Sequence, residues 1–194
     1  MQKLFLFVAL TLALPIIAQA QEAPRVEVFG GYSYLRLEDN QVDGQDRDLN
    51  GYHISGAVNV LKKSIALKGE VSGHFGDIST GITQTDQTQT LFLFGPQYSI
   101  RKFKSIQPFA HALFGVARLK IENDAVFGDI SDTGFAFAIG GGVDVKALSN
   151  KLMIRLVQAD YVRTKLDFLS SGDSNSSNNL RISTGLVVRF GKIE

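Results

Sequence analysis

The sequence has no cysteine and no tryptophan, and its charges cancel almost completely. Without cysteine the chain can form no disulfide, no thiolate nucleophile and no thiolate metal site, and it offers no acceptor for lipoprotein processing. The 194 residues include 20 basic and 19 acidic side chains, with no basic run. This balance argues against a nucleic-acid-binding protein.

The sequence also lacks an apolar run long enough to cross a bilayer as a helix. Its longest run, residues 4–17, has fourteen residues, whereas a spanning helix needs about 20. The run follows Lys3 and precedes the small residues Ala18-Gln19-Ala20, as in a secretory signal peptide. We therefore expect a cleaved signal peptide at 1–20 and one domain at 21–194, with equal numbers of basic and acidic residues after cleavage.

The rest of the chain has apolar residues at alternate positions, in segments separated by turn residues, which predicts strands rather than helices. We predict eight strands, near 25–38, 50–60, 65–76, 88–100, 107–120, 133–146, 152–164 and 179–191. Long connections are predicted at 39–49, 77–87, 121–132 and 165–178, and short ones at 61–64, 101–106 and 147–151. In an up-and-down meander this alternation places every long loop at one end, as in a transmembrane barrel.

The composition of the two strand faces distinguishes a membrane barrel from a soluble one. In the sixth strand, Phe135 and Ile139 alternate with small residues such as Ala138. Small residues fit the narrow interior of an eight-stranded barrel, whereas a water-facing surface has no need of them. The absence of tryptophan also removes the Gly-X-Trp motif of the soluble lipocalins. The sequence thus predicts an all-β, eight-stranded antiparallel up-and-down transmembrane barrel with its apolar face toward lipid.

Two strands deviate from this pattern. In the fifth strand His111 shares a face with Leu113, so neither face is clearly polar. In the seventh strand Arg155 has the opposite parity to Asp160. A β-bulge near Leu156-Val157 would turn both polar residues inward, because one extra residue reverses the facing. We therefore predict a bulge at this point.

The predicted inward face is rich in charged and histidine side chains. They are Glu27, His53, Lys68, Glu70, His74, His111, Asp144, Lys146, Arg155, Asp160, Arg181 and Arg189. We expect a neutral network of ion pairs, because intramembrane charges that face an interior pair with one another. The candidate network consists of Glu27, Lys68, Glu70, Asp144, Arg155, Asp160, Arg181 and Arg189. Strand register predicts three pairs, which are Asp160 with Arg181, Asp144 with Arg155, and Glu27 with Arg189.

The last strand carries Gly185, Val188 and Phe190 in a pattern that resembles the β-signal read by the machinery that inserts outer-membrane barrels. With the segments 26–34 and 108–112, this signal makes the chain resemble the small outer-membrane β-barrel family. That family is typified by the transmembrane part of outer-membrane protein A and by opacity-type surface antigens.

The resemblance implies an outer-membrane location with long loops extracellular and both termini periplasmic. It also implies contact with outer-membrane lipids, lipopolysaccharide and the insertion machinery, and no cofactor. Family members that bind peptidoglycan carry a further domain after the barrel. The sequence ends at Glu194, four residues past Phe190, so no such domain is expected.

We expect a non-enzymatic protein with a structural or surface-exposed role. The alternatives are a lipid A-modifying enzyme and a minor small-solute pore. A Ser–His pair such as Ser72 and His74 could supply a nucleophile and base, but residues two apart on a strand point the same way. The carboxylate-rich segment 38–48 could hold calcium, yet its spacing is not that of an EF-hand. We therefore predict no metal site, and no loop ligand is identified.

Overall fold

The computed structural model describes residues 24–38, 47–61, 64–80, 83–103, 105–123, 130–149, 151–166 and 175–191. The strands are β1 (Val26–Glu38), β2 (Arg47–Leu61), β3 (Ile65–Thr80), β4 (Thr83–Ser99), β5 (Ile106–Asn123), β6 (Ile130–Ser149), β7 (Leu152–Leu166) and β8 (Asn175–Phe190). Each pairs antiparallel with the next, and β8 pairs with β1 to close a barrel. Within the described ranges, no helix is long and apolar enough to cross a bilayer. The predicted eight-stranded barrel is confirmed.

The strands reach further toward the long-connection end than the sequence predicted. The expected long loop at 77–87 is wrong, because Asp77 pairs with Asp86 and Thr80 with Thr83 in a continuous β3–β4 hairpin. Its threonines favour strands, but its uniform polarity hid the period-two pattern. The other long connections, 39–46, 124–129 and 167–174, lie outside the described residues.

The apolar face of the strands points outward. Leu67 and Ile139 are each 56% exposed, whereas Ala138 beside Ile139 is fully buried. Large exposed apolar side chains occur on every strand of the barrel. So large an apolar surface is incompatible with water, and it fits the lipid-facing belt of a transmembrane barrel.

The predicted bulge in β7 is present. Val157 pairs with Val143 and Arg155 with Asp144, which leaves Leu156 as the extra residue on the β6 side. Leu156 and Val157 are both exposed, while Arg155 is buried. The bulge therefore lets β7 direct all its charged mid-strand residues into the barrel.

The interior has a polar part and an apolar part. The apolar part contains Leu91, Leu93, Leu113, Ala117, Ala136, Ala138 and Val162, from β4 to β7. This cluster explains the ambiguous fifth strand, because β5 directs both His111 and Leu113 inward. Lys146 lies on the inward side of β6, opposite the buried Met153, as expected. It follows Val145, the last β6 residue paired with β5, so its side chain is exposed at the barrel mouth and takes no part in the buried interior.

Candidate functional site

Arg181 on β8 joins opposite walls of the barrel. Its Nε and Nη2 donate to Asp160 Oδ2 on the neighbouring β7, at 2.9 and 2.7 Å. Its Nη1 donates to Ser72 Oγ at 3.0 Å, and its Nη2 also donates to Glu70. Ser72 and Glu70 belong to β3, which β1 and β2 separate from β8. One fully buried guanidinium therefore fixes three strands across the lumen.

Glu70 also binds groups from its own wall. Its Oε2 lies 2.9 Å from Lys68 Nζ and 3.0 Å from His53 Nε2. His53 Nδ1 lies 3.2 Å from Ser183 Oγ, so the chain of polar contacts continues to β8. Buried carboxylates need such partners, because a low-dielectric interior penalises an unpaired charge.

Asp160 has a similar set of partners on the other side of Arg181. Its Oδ1 lies 2.9 Å from His111 Nε2, and its Oδ2 accepts from Gln158 Nε2 at 2.7 Å. Gly140 pairs directly with Asp160. A Cβ added at Gly140 would lie 2.1 Å from Asp160 Oδ1. The glycine is therefore required for the carboxylate to sit against β6.

Arg155 fills the lumen next to this cluster. It binds Asp144 in bidentate fashion, with Nε to Oδ1 at 2.8 Å and Nη2 to Oδ2 at 3.0 Å. Its Nη1 donates to Gln158 at 2.6 Å. The guanidinium also lies between the rings of Phe29 and Phe109, 4.4 and 4.2 Å from their centroids. Such cation–π contacts favour arginine over lysine here.

A second group of charges occupies the short-turn mouth of the barrel. Glu27 Oε1 lies 3.1 Å from Arg189 Nε and 3.1 Å from Arg101 Nη2. Arg101 also donates to Asn59 at 3.1 Å, and Arg189 donates to Gln107. Sequence reasoning missed Arg101, because it lies in a turn where the period-two pattern carries no information about facing.

All eight residues of the candidate network are buried, and each takes part in an ion pair. The structure contains the three pairs derived from strand register. The link from Glu70 to Arg181 was not foreseen, since it crosses the lumen rather than a strand pair. The eight residues of the candidate network are four carboxylates and four cations, as expected for a neutral network, and Arg101 adds a further buried cation that contacts Glu27.

The arrangement does not favour catalysis. Ser33 Oγ and His74 Nε2 lie 2.9 Å apart, a contact that the sequence did not predict. Both residues are fully buried in the barrel interior. Within the described part of the chain, His74 Nδ1 has no hydrogen-bond partner to orient it as a base. No group of three or more metal-ligating side chains occurs among the same residues.

The insertion-signal residues lie where β8 closes on β1. Val188 and Phe190 face outward and are exposed. Gly185 pairs with Gly31, and a Cβ added at Gly185 would lie 2.4 Å from Gly30 O. Close approach of the two closing strands therefore accounts for Gly185 independently of any signal.

Solved structures with the same architecture are small outer-membrane barrels. Neisserial surface protein A superposes with a TM-score of 0.63 at 12% identity, covering 88% of this chain and 100% of that one. Ail of Yersinia pestis, in complex with the heparin analogue sucrose octasulfate, gives 0.58 at 16% identity, covering 84% and 97%. OprG of Pseudomonas aeruginosa gives 0.52 at 13% identity, covering 90% and 99%.

These identities are low enough to show a shared fold and nothing more, and no curated protein matches the sequence. A family model gives the assignment that structural likeness alone cannot. It describes the outer membrane protein beta-barrel domain and matches residues 6–190. The chain therefore belongs to that family of outer-membrane β-barrel proteins.

Proposed function

We propose that this chain is a non-enzymatic barrel that strengthens the outer membrane and presents its long connections at the cell surface. The observation that carries the proposal is the lumen itself. Arg181 bridges it with buried ion pairs, Arg155 occupies it between the rings of Phe29 and Phe109, and apolar clusters pack in other parts of the described interior. A filled lumen supports a structural role over a transport role.

The proposed orientation places the long connections outside the cell and both ends of the barrel in the periplasm. Outer-membrane barrels commonly have short periplasmic turns and longer extracellular loops. Residues 1–20 lie outside the described residues, and we propose that they are a signal peptide removed after Ala20. We also propose that Gly185, Val188 and Phe190 are read by the insertion machinery, and that the outward face contacts lipopolysaccharide.

The long connections are poorly suited to bind a polyanionic polymer. The heparin analogue in the Ail structure is polyanionic. Segment 38–48 of this chain carries five carboxylates and one arginine. Such a segment repels sulfated polymers, so the loops favour a neutral or cationic partner.

The test is a deletion strain complemented with two forms of the gene. One is the wild type, and the other replaces residues 39–46 with an Asn-Gly turn, which suits a hairpin. We expect unchanged lipid A mass spectra and lower resistance to detergent in the deletion strain. If the turn variant restores detergent resistance, the barrel itself provides that resistance. If the turn variant lacks only adhesion, residues 39–46 provide the adhesion. Altered lipid A would instead support the enzyme and overturn the proposal.

A further inference from the structure

Among the residues that the structure describes, the exposed charged side chains at the short-turn end of the barrel are all basic. They are Arg25, Lys102, Lys146 and Lys151, which we call the basic rim. The carboxylates at this end, Glu27 and Asp144, are buried in ion pairs. Among the residues described there, none is an exposed carboxylate.

The described surface at the opposite end of the barrel carries charges of both signs. Asp48 is exposed there, in the segment 38–48 with its five carboxylates, and outward-facing cations such as Arg118 and Lys165 accompany it. The described exposed side chains at that end are therefore of both signs. Only the short-turn end presents a surface of one sign in its described residues.

The basic rim is held directly below the lipid-facing belt. Arg25 N donates to the carbonyl of Phe190, which is 54% exposed, at 3.0 Å. Lys146 N donates to Ser105 O at 2.8 Å, next to the exposed Ile106. Backbone hydrogen bonds thus fix the main chain of Arg25 and Lys146 beside the last apolar side chains of the belt. In a bilayer, that depth is the level of the lipid headgroups.

We propose that the basic rim binds anionic phospholipid headgroups in the leaflet that meets the short turns. Lysine and arginine beside a membrane attract anionic lipids through their phosphates. Long basic side chains can place their apolar stems at the edge of a membrane while their charged ends reach the headgroups. The buried pairing of Glu27 and Asp144 leaves no described carboxylate at the rim to oppose this attraction. The proposal goes beyond the structural role and does not depend on it.

The absence of tryptophan provides a direct test. A single indole is introduced at the basic rim by Ile106→Trp, or at the other end of the belt by the matched control Phe75→Trp. Ile106 and Phe75 are 46% and 50% exposed, so both indoles contact lipid. Each protein is folded in vesicles of phosphatidylcholine with phosphatidylglycerol. Fluorescence quenching by brominated forms of either lipid then measures the lipid composition at that end.

We expect brominated phosphatidylglycerol to be enriched over phosphatidylcholine at Ile106→Trp by about threefold or more, as several basic side chains act together. Phe75→Trp is expected to show little enrichment. In a background of Arg25→Gln, Lys102→Gln, Lys146→Gln and Lys151→Gln, the enrichment at Ile106→Trp falls to one. In the Ile106→Trp protein that keeps the four basic residues, high salt is expected to lower the enrichment of phosphatidylglycerol. This second measurement keeps the test valid if the fourfold variant does not fold.

Equal enrichment at both ends, or none at Ile106→Trp, overturns the proposal. So does enrichment at Ile106→Trp that neither salt nor the fourfold substitution reduces. Co-sedimentation with purified peptidoglycan is measured in parallel. If the protein binds peptidoglycan through the basic rim and shows no lipid enrichment, the partner is the cell wall and the lipid assignment is wrong.

Discussion

Arg181 is the residue on which the polar interior depends. Its guanidinium contacts carboxylates on β7 and β3, and those carboxylates in turn hold Lys68, His53 and His111. Buried hydrogen-bonded networks of this kind are cooperative, since each member polarises the others. If the Arg181 guanidinium is removed, neither water nor other cations fully compensate the negative charges of Glu70 and Asp160.

We therefore expect Arg181→Met to lower the free energy of unfolding by about 3–5 kcal/mol, the usual effect of breaking a buried pair. Urea unfolding in detergent, followed by the mobility difference between folded and unfolded protein on unboiled gels, measures it. The control Lys165→Met removes an exposed cation, with an expected change within about 0.5 kcal/mol. The triple variant Arg181→Met, Glu70→Gln, Asp160→Asn should regain part of the loss. Equal stability of Arg181→Met and Lys165→Met would show that the network contributes little.

At the scale of elements, β7 shows what a single sequence can reveal. The parity conflict between Arg155 and Asp160 predicted a bulge at Leu156-Val157, and the pairing confirms it. The side of a strand on which a residue lies follows from the local alternation of polar and apolar residues. A break in that alternation is therefore visible in the sequence. Pairs between adjacent strands follow from register for the same reason.

Other features of the interior are not local. The contact of Glu70 with Arg181 depends on the curvature of the closed barrel, which brings β3 opposite β8. Arg101 enters the mouth from a turn. The apolar cluster around Leu113 was also hidden, because an inward apolar face has no compositional contrast with a lipid-facing one. These features require three-dimensional closure, and sequence periodicity does not encode it.

The bulge yields a deletion test. Without Leu156, the remaining β7 residues alternate regularly and keep every pair with β6 and β8. We expect this deletion to fold and to retain the ion pair of Arg155 with Asp144. Deleting Ala159 instead turns Gln158 or Asp160 toward lipid, which should lower stability by about 2 kcal/mol or more. The mobility shift of folded protein on unboiled gels compares the two, and equal stability would contradict the role assigned to the bulge.

For the molecule as a whole, the inside-out arrangement is tested at Ile139, in the outward face of β6. If this face contacts lipid, Ile139→Arg should lower the free energy of unfolding in bilayers by about 2–4 kcal/mol near the midplane. The control Ile139→Leu should be nearly silent, because lipid accommodates either shape. Unfolding titrations in vesicles measure both. A large effect of the leucine variant would indicate a packed protein core instead of lipid.

The filled lumen makes a prediction about conduction. Arg155 lies between the rings of Phe29 and Phe109, and Arg181 spans the lumen beside it. An ion could pass only by displacing buried pairs, so purified protein in a planar bilayer should show no stable porin-sized conductance at neutral pH. The matched variant Arg155→Ser with Asp144→Ser removes a charged layer without leaving a lone charge, and it should conduct more often than the wild type. Reproducible large steps from the wild type would replace the structural role with that of a pore.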